Sequence, residues 1–316
     1  MFQYLRPLTE PSLLRNGKVL TRRNSDGSDG EWVGVDLEPR TMPVRNARAL
    51  PQSEQCTLFA NGFELRASVL PDRALDFLNH LEVVKRYYDH CAVLVKEACG
   101  AMVVQAFDHN VRSASGKAGS RRIAGGQQVQ GPAHIVHGDY TLVSAPQRLR
   151  DLSQPPSGND TLAASHDREA GLLSCDLVQR VERGARFAII NVWRNIDTRP
   201  VAVNPLALCD AARVRPEDLV VFEIHYADRV GENYFARHSE RHEWFFYPAM
   251  TQDEVLLIKQ WDSAGRFARS AGRLADSGTD EAPSTFSFHS AFEDPLVPDD
   301  APDRWSIEVR CIAIYE

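Results

Sequence analysis

Three stretches carry side chains whose types and spacing could do chemistry: VHGDYT with His137 and Asp139, STFSFHSAF with His289, and RWSIEVRCIAIY with Arg304, Ser306 and Arg310. Side chains alternate faces in extended chain, so residues two apart point the same way. His137 and Asp139 therefore share a face, and His134 falls on the other. Two histidines and one carboxylate on one side of a metal, with the remaining positions open, are the ligand set of non-haem iron(II) oxygenases. A His-x-Asp triplet is weak by itself and gains weight when a distant His289 and then Arg-x-Ser follow it. In the last stretch Trp305, Ile307, Val309, Cys311, Ala313 and Tyr315 form an apolar face, opposite Arg304, Ser306, Glu308 and Arg310. A guanidinium fork matches a carboxylate, and a serine two residues on adds a third hydrogen bond, which suits the distal carboxylate of a dicarboxylic acid. The same face also reads as a solvated outer strand face.

Other candidates compete. His225, His238 and His242 sit among Tyr, Arg, Ser and Glu, as in exposed hairpins, and rank below His289. Asp108, His109, Asn110 and Arg112 follow an expected strand, Ala101 to Phe107, where such residues hold a turn more often than a site. Lys259 is a second conceivable carboxylate partner, and His166 reads as solvated. Asn191, Trp193 and Arg194 lie on an apolar strand where each could touch a substrate. Trp244, Phe245 and Phe246 read as core before pocket lining.

The elements that must position these residues follow from the chain in order. Residues 1–55 read as an extended arm with no separate domain, and residues 56–316 as one domain. Asp72 after Pro71 is the expected N-cap of a helix carrying Leu75, Leu78, Leu81, Val84, Tyr88 and Cys91 at helical spacing, with Gly100 as its stop. Residues 113–131, rich in Gly and Ser, read as a mobile loop, and residues 265–284 as a polar excursion. From residue 185 short β-like runs separated by turns suggest an antiparallel sandwich or barrel. The Pro- and Asp-rich connection after His289 is expected to turn into an adjacent antiparallel strand bearing Arg304.

Composition narrows the partners. The chain has 316 residues, 43% of them apolar, with 36 basic against 43 acidic side chains for a net charge of −7. That balance offers no electrostatic case for nucleic acid or an anionic membrane and leaves a small molecule as the expected partner. No apolar run approaches the ~20 residues of a membrane span. The opening MFQYLRPLTEPSLL lacks a long apolar core, so a cytoplasmic location is expected. The six cysteines include no C-x-x-C pair and read as reduced thiols.

The ordered series GFEL, YYDH, FDHNVR, VHGDYT, INVWRNI, PLALCDA, DRVGENY, RHEWFFYPAMTQDEVLLIKQWDS, HSAFEDP and RWSIEVR spans roughly residues 55 to 316. It resembles the family of gibberellin-desaturase-like and cephem-methoxylase small-chain-like proteins. The resemblance implies a mainly β fold with flanking helices (α+β) around a double-stranded β-helix, that is, a jelly-roll, cupin-like core. It implies an iron(II)/2-oxoglutarate-dependent dioxygenase, a hydroxylase or desaturase of secondary metabolism, using Fe(II), 2-oxoglutarate and O2. Carried over residue by residue, His137, Asp139 and His289 become iron ligands and Arg304 with Ser306 the 2-oxoglutarate anchor. Arg310 either joins that anchor or pairs with substrate or Glu308. A homodimer is compatible with the resemblance. Two alternatives stand beside it: a non-catalytic partner subunit of a methoxylation pair, and a cupin-like metalloenzyme that does not use 2-oxoglutarate.

Overall fold

The structure is a computed structural model and describes residues 1–23, 29–157, 160–164, 169–227, 229–298 and 300–316. The expectation for His166 lies outside the described residues. In chain order the first strands are β1 (Phe2–Leu5), β2 (Leu20–Arg23), β3 (Asp29–Val33), β4 (Leu37–Arg40), β5 (Val44–Asn46) and β6 (Phe63–Ala67). Two helices follow, α1 (His80–Arg86) and α2 (Tyr88–Cys99), then β7 (Val103–Arg112), α3 (Ala114–Ala118), β8 (His137–Gly138), α4 (Ser144–Asp151) and α5 (Cys175–Glu182). The β-rich half contains β9 (Phe187–Asn195), β10 (Leu206–Cys209), β11 (Leu219–His225), β12 (Val230–Ala236), β13 (Trp244–Phe246) and β14 (Glu254–Asp262). The short α6 (Arg266–Arg269), β15 (His289–Ala291) and β16 (Ser306–Ile314) complete the order.

The strands form a nine-stranded sheet, β3-β2-β11-β12-β8-β15-β10-β13-β5, a five-stranded sheet, β6-β14-β9-β16-β7, and the small pair β1-β4. The fold is thus mainly β with flanking helices. The five-stranded sheet is antiparallel throughout, as expected of strands with one face inward. In the larger sheet β2 joins β11 and β5 joins β13 in parallel. The 1–55 stretch therefore supplies strands at both ends of that sheet. β1 is buried as well: the Tyr4 hydroxyl accepts from Trp244 Nε1 at 3.0 Å and lies 3.1 Å from His242 Nδ1.

The helical expectation holds at its end and shifts at its start. Gly100 caps α2 in the left-handed region (φ 68°), a conformation without cost only for a residue lacking Cβ, and its N–H returns to Lys96. Asp72 instead caps a turn by accepting from the Ala74 amide, and the cap of α1 is Asn79. Tyr87 and Tyr88 mark the junction between α1 and α2, and both are buried. α2 packs on β7, β16 and β9, covering one face of the five-stranded sheet. On β9 the alternation is clean: Arg194 reaches toward Tyr87 and Ser68 on the helix side, whereas Asn191 reaches Asp139 on the other. Arg194 is thus a structural residue.

Three further expectations are corrected. The cluster Asp108, His109, Asn110 and Arg112 belongs to β7 itself, which runs ten residues and pairs with β16 through Arg112↔Ser306 and Asn110↔Glu308. The 113–131 stretch has its own order: Ser113 caps α3, and Ser113 and Ser115 both donate to Asp303, the residue before Arg304. Finally, β15 and β16 are not neighbours; β15 lies between β8 and β10 in the large sheet and β16 between β9 and β7 in the other. His289 and Arg304 approach each other from different sheets, not along one ladder.

Candidate metal centre

β8 is only two residues long because the chain leaves the ladder at Asp139, yet its pairing sets the site. His137 sits directly opposite His289 on β15, and directly opposed residues in an antiparallel pair project to the same face. Their ring centroids are 4.3 Å apart. Asp139 then swings its carboxylate across, so that Oδ1 lies 3.7 Å from Nε2 of each histidine. Those separations are too long for hydrogen bonds and suit three atoms arranged around a common centre. Among the described residues these three are the group whose ligand atoms all fall within 4.8 Å of one another. Gly138 between them is closely approached: a Cβ there would stand 3.0 Å from the Phe286 ring.

Electrostatics favour the ligand form of each. Burial, reinforced by His289, pushes the His137 imidazole down to about 4, and burial likewise lowers His289. His137 Nδ1 is 2.7 Å from the Ile135 carbonyl, so it carries the proton and Nε2 keeps its lone pair. Burial pushes the Asp139 carboxyl up, but Arg310 and then the two histidines outweigh it and hold the group well below the usual carboxylate range. Neutral imidazoles beside an ionised carboxylate are what a divalent cation needs. The donor set fits Fe(II).

Beside these ligands opens a small pocket whose lining includes His137, His289, Arg112, Trp193, Arg304 and Glu308. Arg304 is 2% exposed, donates through Nη1 to the Asn204 carbonyl and lies 5.7 Å from the centre of the Trp193 ring. Among the described residues its Nε has no hydrogen-bond partner, and neither does the Ser306 hydroxyl, itself 1% exposed. Burial, then the neighbouring Arg112, pushes the Arg304 guanidinium down to about 9. A guanidinium does not give up its proton in practice, so this pressure is one for an anion. Two buried donors without acceptors, one of them on a residue lining the pocket, fit a carboxylate.

Arg310 is placed elsewhere than beside Arg304. It is ringed by three carboxylates: Nε and Nη2 each reach Asp139 Oδ2 at 3.2 Å, Nη1 reaches Asp108 at 2.6 Å, and Nη2 reaches Glu308 at 3.2 Å. Lys259 is turned away, with Nζ on the Ser284 carbonyl at 3.0 Å and on Asp262 at 3.1 Å. His225 pairs with Glu223, His238 lies against Tyr4 and Met42, and His242 stands between Tyr4 and Asp218. Sequence reasoning undervalued Asp108 and Arg112 as turn residues, although their shared face with Asn110 was a usable signal. Asn191, which donates to Asp139 Oδ2 at 3.1 Å, was visible only as a polar residue in an apolar strand.

A family model described as an oxidoreductase/YMDC permease-like domain matches residues 2–314. The chain belongs to this family. No helix among the described residues of this YMDC-like chain is long and apolar enough to cross a membrane. It is 42% identical, over 61% of its length and 88% of the relative, to an uncharacterized protein in the dcmA 3′ region of Methylophilus leisingeri. It is 29% identical to the Fe(II)/2-oxoglutarate-dependent dioxygenase nvfI of Aspergillus novofumigatus, over 85% of this chain and 82% of that one. The hydroxylase/desaturase efuI of Hormonema carpetanum is 27% identical over 89% and 86%. Among solved structures, the iron and alpha-ketoglutarate-dependent endoperoxidase NvfI superposes with a TM-score of 0.72 at 23% identity, covering 99% of this chain and 96% of its own. That likeness establishes a shared fold.

Proposed function

We propose that this YMDC-like protein is an iron(II)/2-oxoglutarate-dependent dioxygenase that hydroxylates or desaturates a small organic molecule of secondary metabolism, with succinate and carbon dioxide as coproducts. One observation carries the reading: the three ligand atoms of His137, Asp139 and His289 converge, and both histidines line one pocket with the buried Arg304, whose Nε has an unused donor. The sequence relatives named dioxygenase and hydroxylase/desaturase support it.

In this reading Nε2 of His137, Nε2 of His289 and Oδ1 of Asp139 hold Fe(II), leaving its other positions to the cosubstrates. When bound, the iron with 2-oxoglutarate and O2 supplies the oxidising power to remove hydrogen from an unactivated C–H bond. The chain's own residues bind and orient. Arg304 and Ser306 take the distal carboxylate of 2-oxoglutarate, with the Asn204 carbonyl and the Trp193 ring fixing the fork from behind. The Ile135 carbonyl holds the His137 ring in its ligating tautomer. We assign Arg310 to Asp139 in place of the cosubstrate contact expected from sequence. The finer assignments go with this reading: a gibberellin-desaturase-like member, a double-stranded β-helix made of the two large sheets, a cytoplasmic enzyme, and a homodimer as its assembly.

The test is an anaerobic titration of metal-free protein with Fe(II) and 2-oxoglutarate, following the iron-to-ketoacid charge-transfer absorption. The band is expected in the native protein, absent in His289→Ala, and shifted to much higher 2-oxoglutarate in Arg304→Ala. Well-folded native protein that gives no band would sink the assignment.

A further inference from the structure

Asp139 presents its two oxygens differently. Oδ1 faces the histidines, whereas Oδ2 takes three N–H groups: Asn191 Nδ2 at 3.1 Å and Arg310 Nε and Nη2 at 3.2 Å each. A carboxylate oxygen offers about two lone pairs, so these donors saturate Oδ2 and leave Oδ1 as the available atom. Arg310 is fixed in turn from its far side by Asp108, through Nη1 to Oδ2 at 2.6 Å. The other oxygen of Asp108 accepts from the Thr161 hydroxyl and from the His109 amide at 2.9 Å.

Thr161 lies on neither sheet. It opens a single 3-10 turn, Thr161–Ala164, tied down by the Arg148–Asp160 ion pair at 2.9 Å and by burial of Leu162. Arg148 also lies over the Phe107 ring, 5.0 Å from its centre, next to Asp108 in β7. The outer turn is therefore connected to Asp139 by consecutive hydrogen bonds through two side chains. Arg310 gathers three carboxylates, Asp139, Glu308 and Asp108, and the cations Arg112 and Arg148 stand near enough to bear on them. The Thr161 hydroxyl adds a neutral donor to Asp108.

We propose that Thr161, Asp108 and Arg310 form a positioning chain that keeps Asp139 bound to the metal through Oδ1 alone. This rests on the reading of His137, Asp139 and His289 as the Fe(II) ligands. A carboxylate released at Oδ2 would turn both oxygens to the ion and occupy a position the cosubstrates require. The turn at 161–164 thereby contributes to the metal site without touching a ligand.

The experiment uses Co(II) added to the full-length metal-free protein, reading its dissociation constant and d–d absorption, which reports coordination number. Thr161→Val is expected to weaken Co(II) binding about 10-fold, the lower range for loss of an outer partner, and to change the d–d intensity. Thr161→Ser is expected to restore both, and thermal unfolding of all variants verifies the fold. Asp108→Asn should act in the same direction, and the double variant should fall well short of the summed effects, as for residues working as one unit. Native affinity and spectrum in Thr161→Val, or strict additivity with Asp108→Asn, overturns the chain and leaves the metal reading intact. A native protein that binds no Co(II) removes both.

Discussion

His137 and His289 are directly opposed across an antiparallel pair, although they are 152 residues apart in the sequence. Their common face is set by strand register, so the site depends on β15 keeping its place between β8 and β10. Replacing His289 by alanine removes one of the three proposed ligands and leaves the ladder intact. Co(II) affinity should fall by more than about 100-fold, beyond the cost of losing an outer partner. Equilibrium dialysis with the metal checks this.

Gly138 should not tolerate a side chain. The Cβ of Gly138→Ala would meet the Phe286 ring at 3.0 Å, and overpacking of this kind costs about 1–3 kcal/mol. Because the clash lies between His137 and Asp139, metal affinity should fall together with the urea midpoint. Adding Phe286→Leu should recover part of both.

Arg304 is the proposed 2-oxoglutarate anchor, and it is 2% exposed. Arg304→Met removes a buried cation that has no carboxylate within salt-bridge distance among the described residues, so the metal-free variant should be as stable as the native protein or more so. The stabilisation conferred by 2-oxoglutarate with Co(II) should disappear, for loss of one partner of a buried charge pair costs about 2–5 kcal/mol of binding. Thermal shifts with and without both ligands separate the two effects.

His109 gives the fold a pH dependence of its own. Burial pushes it down to about 4, with Asp108 opposing and His80 and Arg310 assisting, while its Nδ1 meets the Tyr88 hydroxyl at 2.8 Å. An unfolded histidine titrates near 6.5. Between those values the unfolded chain binds a proton that the folded one refuses, so stability is complete above about pH 6.5 and declines as pH falls toward 4. At about pH 5 this one group costs roughly 2 kcal/mol. His109→Gln should flatten the difference between urea midpoints at about pH 7.5 and pH 5 by that amount. An unchanged difference would contradict the assignment.

Tyr4 lies outside the metal chemistry. Tyr4→Phe leaves Trp244 Nε1 and His242 Nδ1 without their shared oxygen in a buried place, at a cost of about 1–3 kcal/mol. Denaturant unfolding should register that loss, while Co(II) affinity stays at the native value.

Much of this site was legible because its signals are local. The His-x-Asp spacing of 137 and 139 and the alternation of Arg304, Ser306, Glu308 and Arg310 survive in any extended chain. What could not be read is which strands become neighbours. The connection after His289 looked long enough for a hairpin, yet it carries the chain to the opposite sheet. Asp108 and Arg112 were mistaken for turn residues because charge inside a strand is normally excluded from a core. Here β7 faces Arg310, Glu308 and a polar cavity, where charge has partners. Arg310 fits a carboxylate as expected, but those carboxylates belong to the protein.

The placement of β3 and β5 at the two ends of the nine-stranded sheet has a consequence for how the molecule is made. A long edge strand is a template for other chains, and here the two ends are the short β3 and β5. β2 and β5 leave the ribosome before their parallel partners β11 and β13 exist, so these two pairings wait until most of the protein has been synthesised, although β2 can already pair with β3. Pairing across such separations is slow. Aggregation during biosynthesis should therefore be governed by this early-made segment more than by any residue that touches the metal.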